Sequence, residues 1–253
     1  MKRLGEKPTE IRRRGALSLE TVLDVLLGFS LTVIAPAVGF AEPRAAEAHA
    51  PPALFEATSQ HSFGNVEYWK TVFDDPERDQ WQKPDRVVSA LGLEPGMRVA
   101  DLGAGTGYFS SYLSRAVGEE GSVLAVETEP KLVEYLRQRA EKEGTSNLVP
   151  VLASFDNPRV PRSSVDVVLM VNTFHHIDSR LDYLEGLKRV LRASGKIAIV
   201  DWYKHTLPLG PPPEHKIEKA QVIEEMKEAG YGLAGEQEFL PYQYYLIFVN
   251  VRE

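Results

Sequence analysis

The sequence contains no cysteine. That absence excludes disulfides, thiolate-ligated zinc, iron–sulfur clusters and a thiol nucleophile, and it leaves the redox compartment open. An excess of positive charge is missing too. Twenty-nine basic residues face 36 acidic ones, for a net charge of −7. A chain that holds phosphates of nucleic acid needs a basic face, so no nucleic-acid partner is expected. Seventeen prolines and 19 glycines in 253 residues are too few for a collagen-like or low-complexity chain. No internal repeat is visible. Six histidines are available for acid–base work. None pairs with another at i, i+4 beside an acid, so no metal is expected.

One long uncharged run is present, the 17 residues from Val25 to Ala41. Lys2, Arg3, Lys7, Arg12, Arg13 and Arg14 precede it, and Gly39-Phe40-Ala41 ends it with small residues at the positions a signal peptidase reads. Residues 1–41 are therefore expected to be a signal peptide or a membrane anchor. At about 1.5 Å per residue the run reaches about 25 Å, slightly short of a bilayer's roughly 30 Å apolar core. Glu20 and Asp24 suit neither role, and an ordinary apolar helix stays open. The expectation is export, or membrane attachment through residues 16–41; a misplaced start codon would make the protein cytoplasmic. Residues 42–62, rich in Ala and Pro without apolar period, read as a linker.

From about residue 84 short apolar runs alternate with longer amphipathic ones. Met97–Leu102, Ser122–Glu127, Leu148–Leu152, Val165–Val171 and Gly195–Asp201 read as strands. Tyr108–Val117, Pro130–Glu143, Arg180–Leu191 and Ile217–Ala229 read as helices. Two last strands, near Leu233–Phe239 and Tyr244–Val251, have no helix between them and should form a hairpin. This alternation predicts an α/β fold: a mostly parallel sheet with helices on both faces and one antiparallel strand in the C-terminal hairpin. Ligands in such sheets bind beyond the carboxyl ends of the strands, near the point where the strand order reverses. The chemistry should then follow Leu102, Glu127, Val171 and Asp201.

The most specific motif is Asp101-Leu102-Gly103-Ala104-Gly105-Thr106-Gly107, between a strand and a helix. Its spacing is Gly-x-Gly-x-Gly, because position 108 is Tyr. The dinucleotide fingerprint wants Gly-x-Gly-x-x-Gly, and an acid before the loop repels a pyrophosphate while suiting an amino-bearing ligand. The next strand ends in Glu127, a carboxylate able to take both hydroxyls of a ribose.

This loop resembles motif I of the class I S-adenosylmethionine-dependent methyltransferases, and the resemblance covers about residues 80–253. It implies the Rossmann-like methyltransferase sheet and S-adenosyl-L-methionine as cofactor. It also implies cofactor contacts from Asp101, Gly103, Ala104, Gly105, Thr106, Gly107, Glu127, Asp156 and Asn172. Glu127 matches the ribose acid. Asp156 falls in the loop after the third strand, on the adenine side. Val165–Asn172 is similar to the fourth-strand motif, whose end faces the methionine part. Leu191–Asp201 is similar to the fifth-strand motif, with Ala193-Ser194-Gly195 where the family usually has Pro-Gly-Gly. Residues 86–253 would be the methyltransferase domain.

Methyl transfer is an in-line displacement in which placement supplies much of the rate, and a base is needed only when the acceptor is protonated. The stretch after the fourth strand, Asn172-Thr-Phe-His175-His176, is not the Asn-Pro-Pro-Tyr type that serves nucleobase amines. A small-molecule acceptor is expected. His175, His176 and Asp201 are the candidate catalytic residues at the rim of the site, with helix-entry packing for the histidines and a structural role for Asp201 as the competing readings. Residues 204–215 form a proline-rich loop long enough for a lid; its His215 reads as a solvated loop residue. Residues 63–85 read as an N-terminal helical cap, with Trp69, Phe73 and Trp81 either closing over the ligands or covering the sheet edge. Gln82 or Lys83 would touch the methionine carboxylate. Tyr242, Tyr244 and Tyr245 cluster with Phe239 and Phe248, and most of these read as core. Two rival functions stay open: a non-catalytic S-adenosylmethionine-binding protein, and a nicotinamide-dependent oxidoreductase. Oligomeric state is not legible.

Overall fold

The computed structural model describes residues 63–251. The N-terminal basic and apolar segment and the linker through residue 62 lie outside the described residues. Among the described residues, no helix is long and apolar enough to cross a membrane.

Three short helices come first: α1 (Val66–Phe73), α2 (Arg78–Gln82) and α3 (Pro84–Ala90). The alternating body follows as β1 (Arg98–Leu102), α4 (Tyr108–Val117), β2 (Ser122–Glu127), α5 (Pro130–Glu143), β3 (Leu148–Leu152), β4 (Val165–Val171), α6 (Arg180–Val190), β5 (Leu191–Trp202), α7 (Lys219–Glu228), β6 (Tyr231–Gln237) and β7 (Gln243–Asn250). The seven strands form one sheet in the order β3-β2-β1-β4-β5-β7-β6. Strands β1 to β5 pair in parallel. Only β7 runs against its neighbours β5 and β6. This is the mostly parallel sheet with a C-terminal hairpin that the alternation predicts, in the Rossmann-like form that the methyltransferase resemblance implies.

Strand periodicity divides the core between two layers. Val99, Val167, Leu169, Ala198 and Val200 pack with Val87 and Val88 of α3 and with Phe109, Leu113 and Val117 of α4. Ala100, Leu102, Val168, Met170, Ile197 and Ile199 pack with Leu184 and Leu187 of α6 and with Val222 and Met226 of α7. Each Val, Leu, Ile, Phe or Met side chain among them gains roughly 1.5–3 kcal/mol from leaving water. Helix α5 begins with Pro130, where a missing N–H costs nothing, and ends at Gly144 in the left-handed region, φ 65°.

Some boundaries differ from expectation. Strand β5 starts four residues early, at Leu191. Its pairing with β4 jumps from Val165↔Leu191 to Val167↔Lys196, so Ala193-Ser194-Gly195 bulges out of an otherwise continuous strand. Helix α7 starts at Lys219, because Ile217 is spent on the core, 7% exposed. The single expected cap helix is three short ones, and α3 runs past residue 85 to Ala90.

The parallel order reverses between β1 and β4. Their carboxyl ends open a crevice at that point, and the glycine loop and the Asn172-Thr173 turn both fall there.

Candidate active site

The glycine loop leaves β1 and closes on its neighbours through its own backbone. The N–H groups of Gly103 and Ala104 both donate to the carbonyl of Val126, at 2.9 and 3.0 Å. Gly103 has φ 75°, and a Cβ there would come within 2.3 Å of the Thr173 hydroxyl after β4. Gly107 has φ 88°, and its Cβ would meet Leu136 at 2.7 Å. Both positions need glycine for conformation and for space.

Glu127 ends β2 and is buried, 7% exposed. Its Oε2 accepts the N–H of Gly105 at 2.9 Å. Its Oε1 accepts from the backbone of Thr128 and of Glu129 at 2.7 and 3.1 Å. Burial pushes its pKa up, and those backbone donors oppose the shift. Oε2 therefore retains a lone pair for a ligand hydroxyl. The backbone N–H of Ala153 donates to the Glu127 carbonyl at 2.9 Å, so the loop after β3 starts beside it. Asp156 lies exposed in that loop, where its carboxylate accepts from Ser154 at 2.8 Å.

Asp101 is 2% exposed beneath the loop. Its Oδ2 accepts from Ser110 of α4 at 2.6 Å. Burial pushes its pKa up to about 6, against the Ser110 hydrogen bond and the opposite charge of Arg78. Arg78, on α2, lies 4.1 Å above the Tyr108 ring and donates to the Phe73 carbonyl at 2.7 Å and to Gln82. Desolvation lowers its pKa to about 10. Among the described residues it forms no ion pair, although Asp101, Asp79 and Asp74 all act on it. Gln82 passes the chain on. Its amide donates to Gln243 at 3.0 Å, and Gln243 donates to the side chain of Asn172. Asn172 itself holds φ 55° at the turn after β4.

The cap covers this crevice. Phe73 lies 3.2 Å from where a Cβ of Gly105 would stand. It stacks on Trp69 at 5.0 Å, which meets Phe63 at 4.8 Å. Phe63 meets His176 edge-on at 5.9 Å. Asp74 ends α1, accepts from the Thr106 hydroxyl at 2.8 Å and pairs with Arg139 of α5 at 3.1 Å.

Three sequence expectations are corrected here. His175 and Asp201 are not at the rim: they are 4% and 1% exposed. His175 Nδ1 stands 2.7 Å from Asp201 Oδ1, and its backbone N–H donates to Oδ2 at 3.2 Å. The N–H of Trp202 donates to Oδ1 at 2.9 Å. Asp201 is turned inward because backbone donors and the imidazole meet it there. Lys83 does not face the crevice. It holds φ 47° between α2 and α3, and its Nζ donates to the Phe239 carbonyl at 2.7 Å. Gln82 is fully buried and committed to its amide relay. His176, half-buried, is the histidine nearer the rim; its ring lies 4.1 Å from that of His175.

Arg78 went unnoticed in the sequence. Its spacing of four from Gln82 on one helical face was the available signal. Tyr244 and Tyr245 are fully buried, while Tyr242 is half-buried. Among the described residues no group of three or more His, Asp or Glu could hold a metal ion.

A Gly-x-Gly-x-Gly loop at the switch point, an acid under it and a buried ribose-type carboxylate on the next strand define the S-adenosylmethionine-dependent methyltransferases. The family model described as a methyltransferase domain matches residues 93–243, and the chain belongs to that family. It is similar to a SAM-dependent methyltransferase from Aquifex aeolicus: 32% identical, TM-score 0.69, covering 73% of this chain and 97% of that one. It is 24% identical over 157 residues to the ubiquinone/menaquinone biosynthesis C-methyltransferase UbiE of Shewanella oneidensis, covering 62% of this chain and 54% of that one. The chain thus spans about half the length of the curated relatives it matches. The cyclase SpnF shares the fold at 13% identity and TM-score 0.57, covering 67% of this chain and 81% of that one.

Proposed function

We propose that this methyltransferase moves a methyl group from S-adenosylmethionine to a small-molecule acceptor that gives up a proton. The observation that carries the cofactor half is Glu127 Oε2 held at Gly105, with capacity left for a ribose hydroxyl. The residues fit the cofactor end to end. Glu127 takes the ribose, and Asp156 stands on the adenine side. Backbone from Gly103 to Gly107 approaches closely, with Ala104 and Thr106 shaping the loop. Asp101 receives the methionine ammonium. Arg78 receives its carboxylate, the role expected of Gln82 or Lys83. Asn172 is held by the amide relay and fixes the turn on the methionine side.

The acceptor half rests on the His175–Asp201 pair. An ionised Asp201 at Nδ1 fixes the proton there and leaves the lone pair on Nε2. A base oriented by a buried third group is what an acceptor hydroxyl or an acidic ring position needs. His175 would be the catalytic residue and Asp201 its positioning residue, with His176 beside them. The printed names of the curated relatives, C-methyltransferases of quinone biosynthesis, support an acceptor of this kind.

Arg78→Met removes the guanidinium over Tyr108, and with it the charge, while keeping an unbranched apolar side chain. Affinity for S-adenosylhomocysteine, which carries the same carboxylate, is expected to fall tenfold or more by calorimetry, the loss of a charge-assisted hydrogen bond. An affinity within twofold of wild type would remove Arg78 from the site.

A further inference from the structure

Lys216 has no role so far. It lies at the end of the lid loop, in extended backbone before α7, and is 3% exposed. Its Nζ donates to the His205 carbonyl at 2.9 Å and faces the Trp202 ring at 6.0 Å. Those are its partners among the described residues, and no carboxylate pairs with it. Asp201 acts on it electrostatically, but the oxygens of Asp201 are already committed to His175 and Trp202. Burial pulls the lysine pKa below its ordinary value.

An ammonium buried without a direct ion pair is costly, and a methionine would cover Trp202 equally well. The lid tie to His205 explains one of its three donors. Among the described residues only the field of Asp201, which His175 and Trp202 also share, answers the charge.

A chain of flat rings runs on from Trp202, the ring this ammonium faces. Trp202 lies 5.3 Å from Trp81 of α2, which lies 6.2 Å from Tyr242. Tyr203 and His205 stack at 6.1 Å with 16° between planes. Gly210 of the lid covers the indole of Trp202, where a Cβ would come within 2.8 Å. A shift of Gly210 away from the indole would free that ring face. Trp202 ends β5, Tyr203 and His205 follow it, and Tyr242 precedes β7; both strands lie beyond β4 from β1 and its glycine loop.

We infer that Lys216, Trp202 and Trp81 form the acceptor subsite, and that it takes a planar ring bearing an anionic oxygen, a carboxylate or a phenolate. The ring lies against the tryptophans, and the oxyanion answers Lys216. This extends the proposed function and rests on its placement of the acceptor end.

The test uses the full chain and tryptophan fluorescence, since two of its three tryptophans line the subsite. The probes are 4-hydroxybenzoate, its neutral isostere 4-hydroxybenzamide, and cyclohexanecarboxylate, an anion without a flat ring. Each is titrated with and without S-adenosylhomocysteine, whose own binding is measured separately. 4-Hydroxybenzoate is expected to quench and to bind at least tenfold tighter than either other probe. Lys216→Met should erase that preference, and Lys216→Arg should keep it. A thermal melt of each variant checks folding, and the arginine variant preserves the test if the methionine variant unfolds. Equal binding of benzoate and benzamide, unchanged preference in Lys216→Met, or no quenching by any probe would overturn the inference. Failure of S-adenosylhomocysteine to bind, with the benzoate preference intact, counts against the cofactor assignment alone.

Discussion

Asp101→Asn is expected to make the cofactor-free protein more stable while impairing it as a binder. The Asp101 carboxyl titrates near about 6 in the fold, against an ordinary 3.8, because burial penalises its charge. A carboxyl whose pKa is raised binds its proton more tightly folded than unfolded. Its contribution is whole below pH 3.8 and is lost as pH rises through about 6. The shift of about two units corresponds to about 3 kcal/mol. Asparagine does not titrate there. Melting curves of wild type and variant should coincide near pH 3.5, diverge through pH 6, and differ by roughly 6–12 °C at pH 8. S-adenosylhomocysteine should reverse the order, because its ammonium meets a charge in wild type and none in the variant. A melting difference independent of pH would show that Asp101 is not a strained acid. A variant stabilised equally by ligand would show that it does not meet the ammonium.

Asp201→Ala should be the most destabilising single change at the site. Asp201 accepts from two backbone N–H groups and stands at hydrogen-bond distance from the His175 ring, all of them buried. Removing the carboxylate strands these groups without water, at a cost of about 3–5 kcal/mol. The melting temperature should fall by about 10 °C or more at pH 7.5. His175→Gln, which leaves Asp201 its backbone donors, should cost less than half as much. Equal losses would mean that the imidazole, not the backbone, is what Asp201 secures.

The sheet was legible because its cause is local. Mostly apolar stretches of five to seven residues mark β1 to β4, and the glycines after β1 announce a loop with no room for side chains. Glu127 was legible for the same reason, at the end of the next strand. The polar architecture was not. Gln82 meets Gln243 across 161 positions, and Lys83 meets Phe239 across 156. No periodicity encodes such pairs; the closing strand β7 creates them by lying beside β5. The inward turn of Asp201 depends on the backbone of Phe174-His175 arriving from β4, 26 positions earlier. Lys216 gave no signal, because in sequence it is one more basic residue after a proline-rich loop.

The account stands on the cofactor site. Its most direct test is calorimetric titration of the full chain with S-adenosylmethionine and S-adenosylhomocysteine, with NADH as control and Glu127→Ala in parallel. The account predicts micromolar binding of both, about −8 kcal/mol, weakened by about 1–3 kcal/mol in Glu127→Ala, and no binding of NADH. Binding of NADH by a folded chain that ignores S-adenosylmethionine, or an affinity untouched by loss of Glu127, would contradict it.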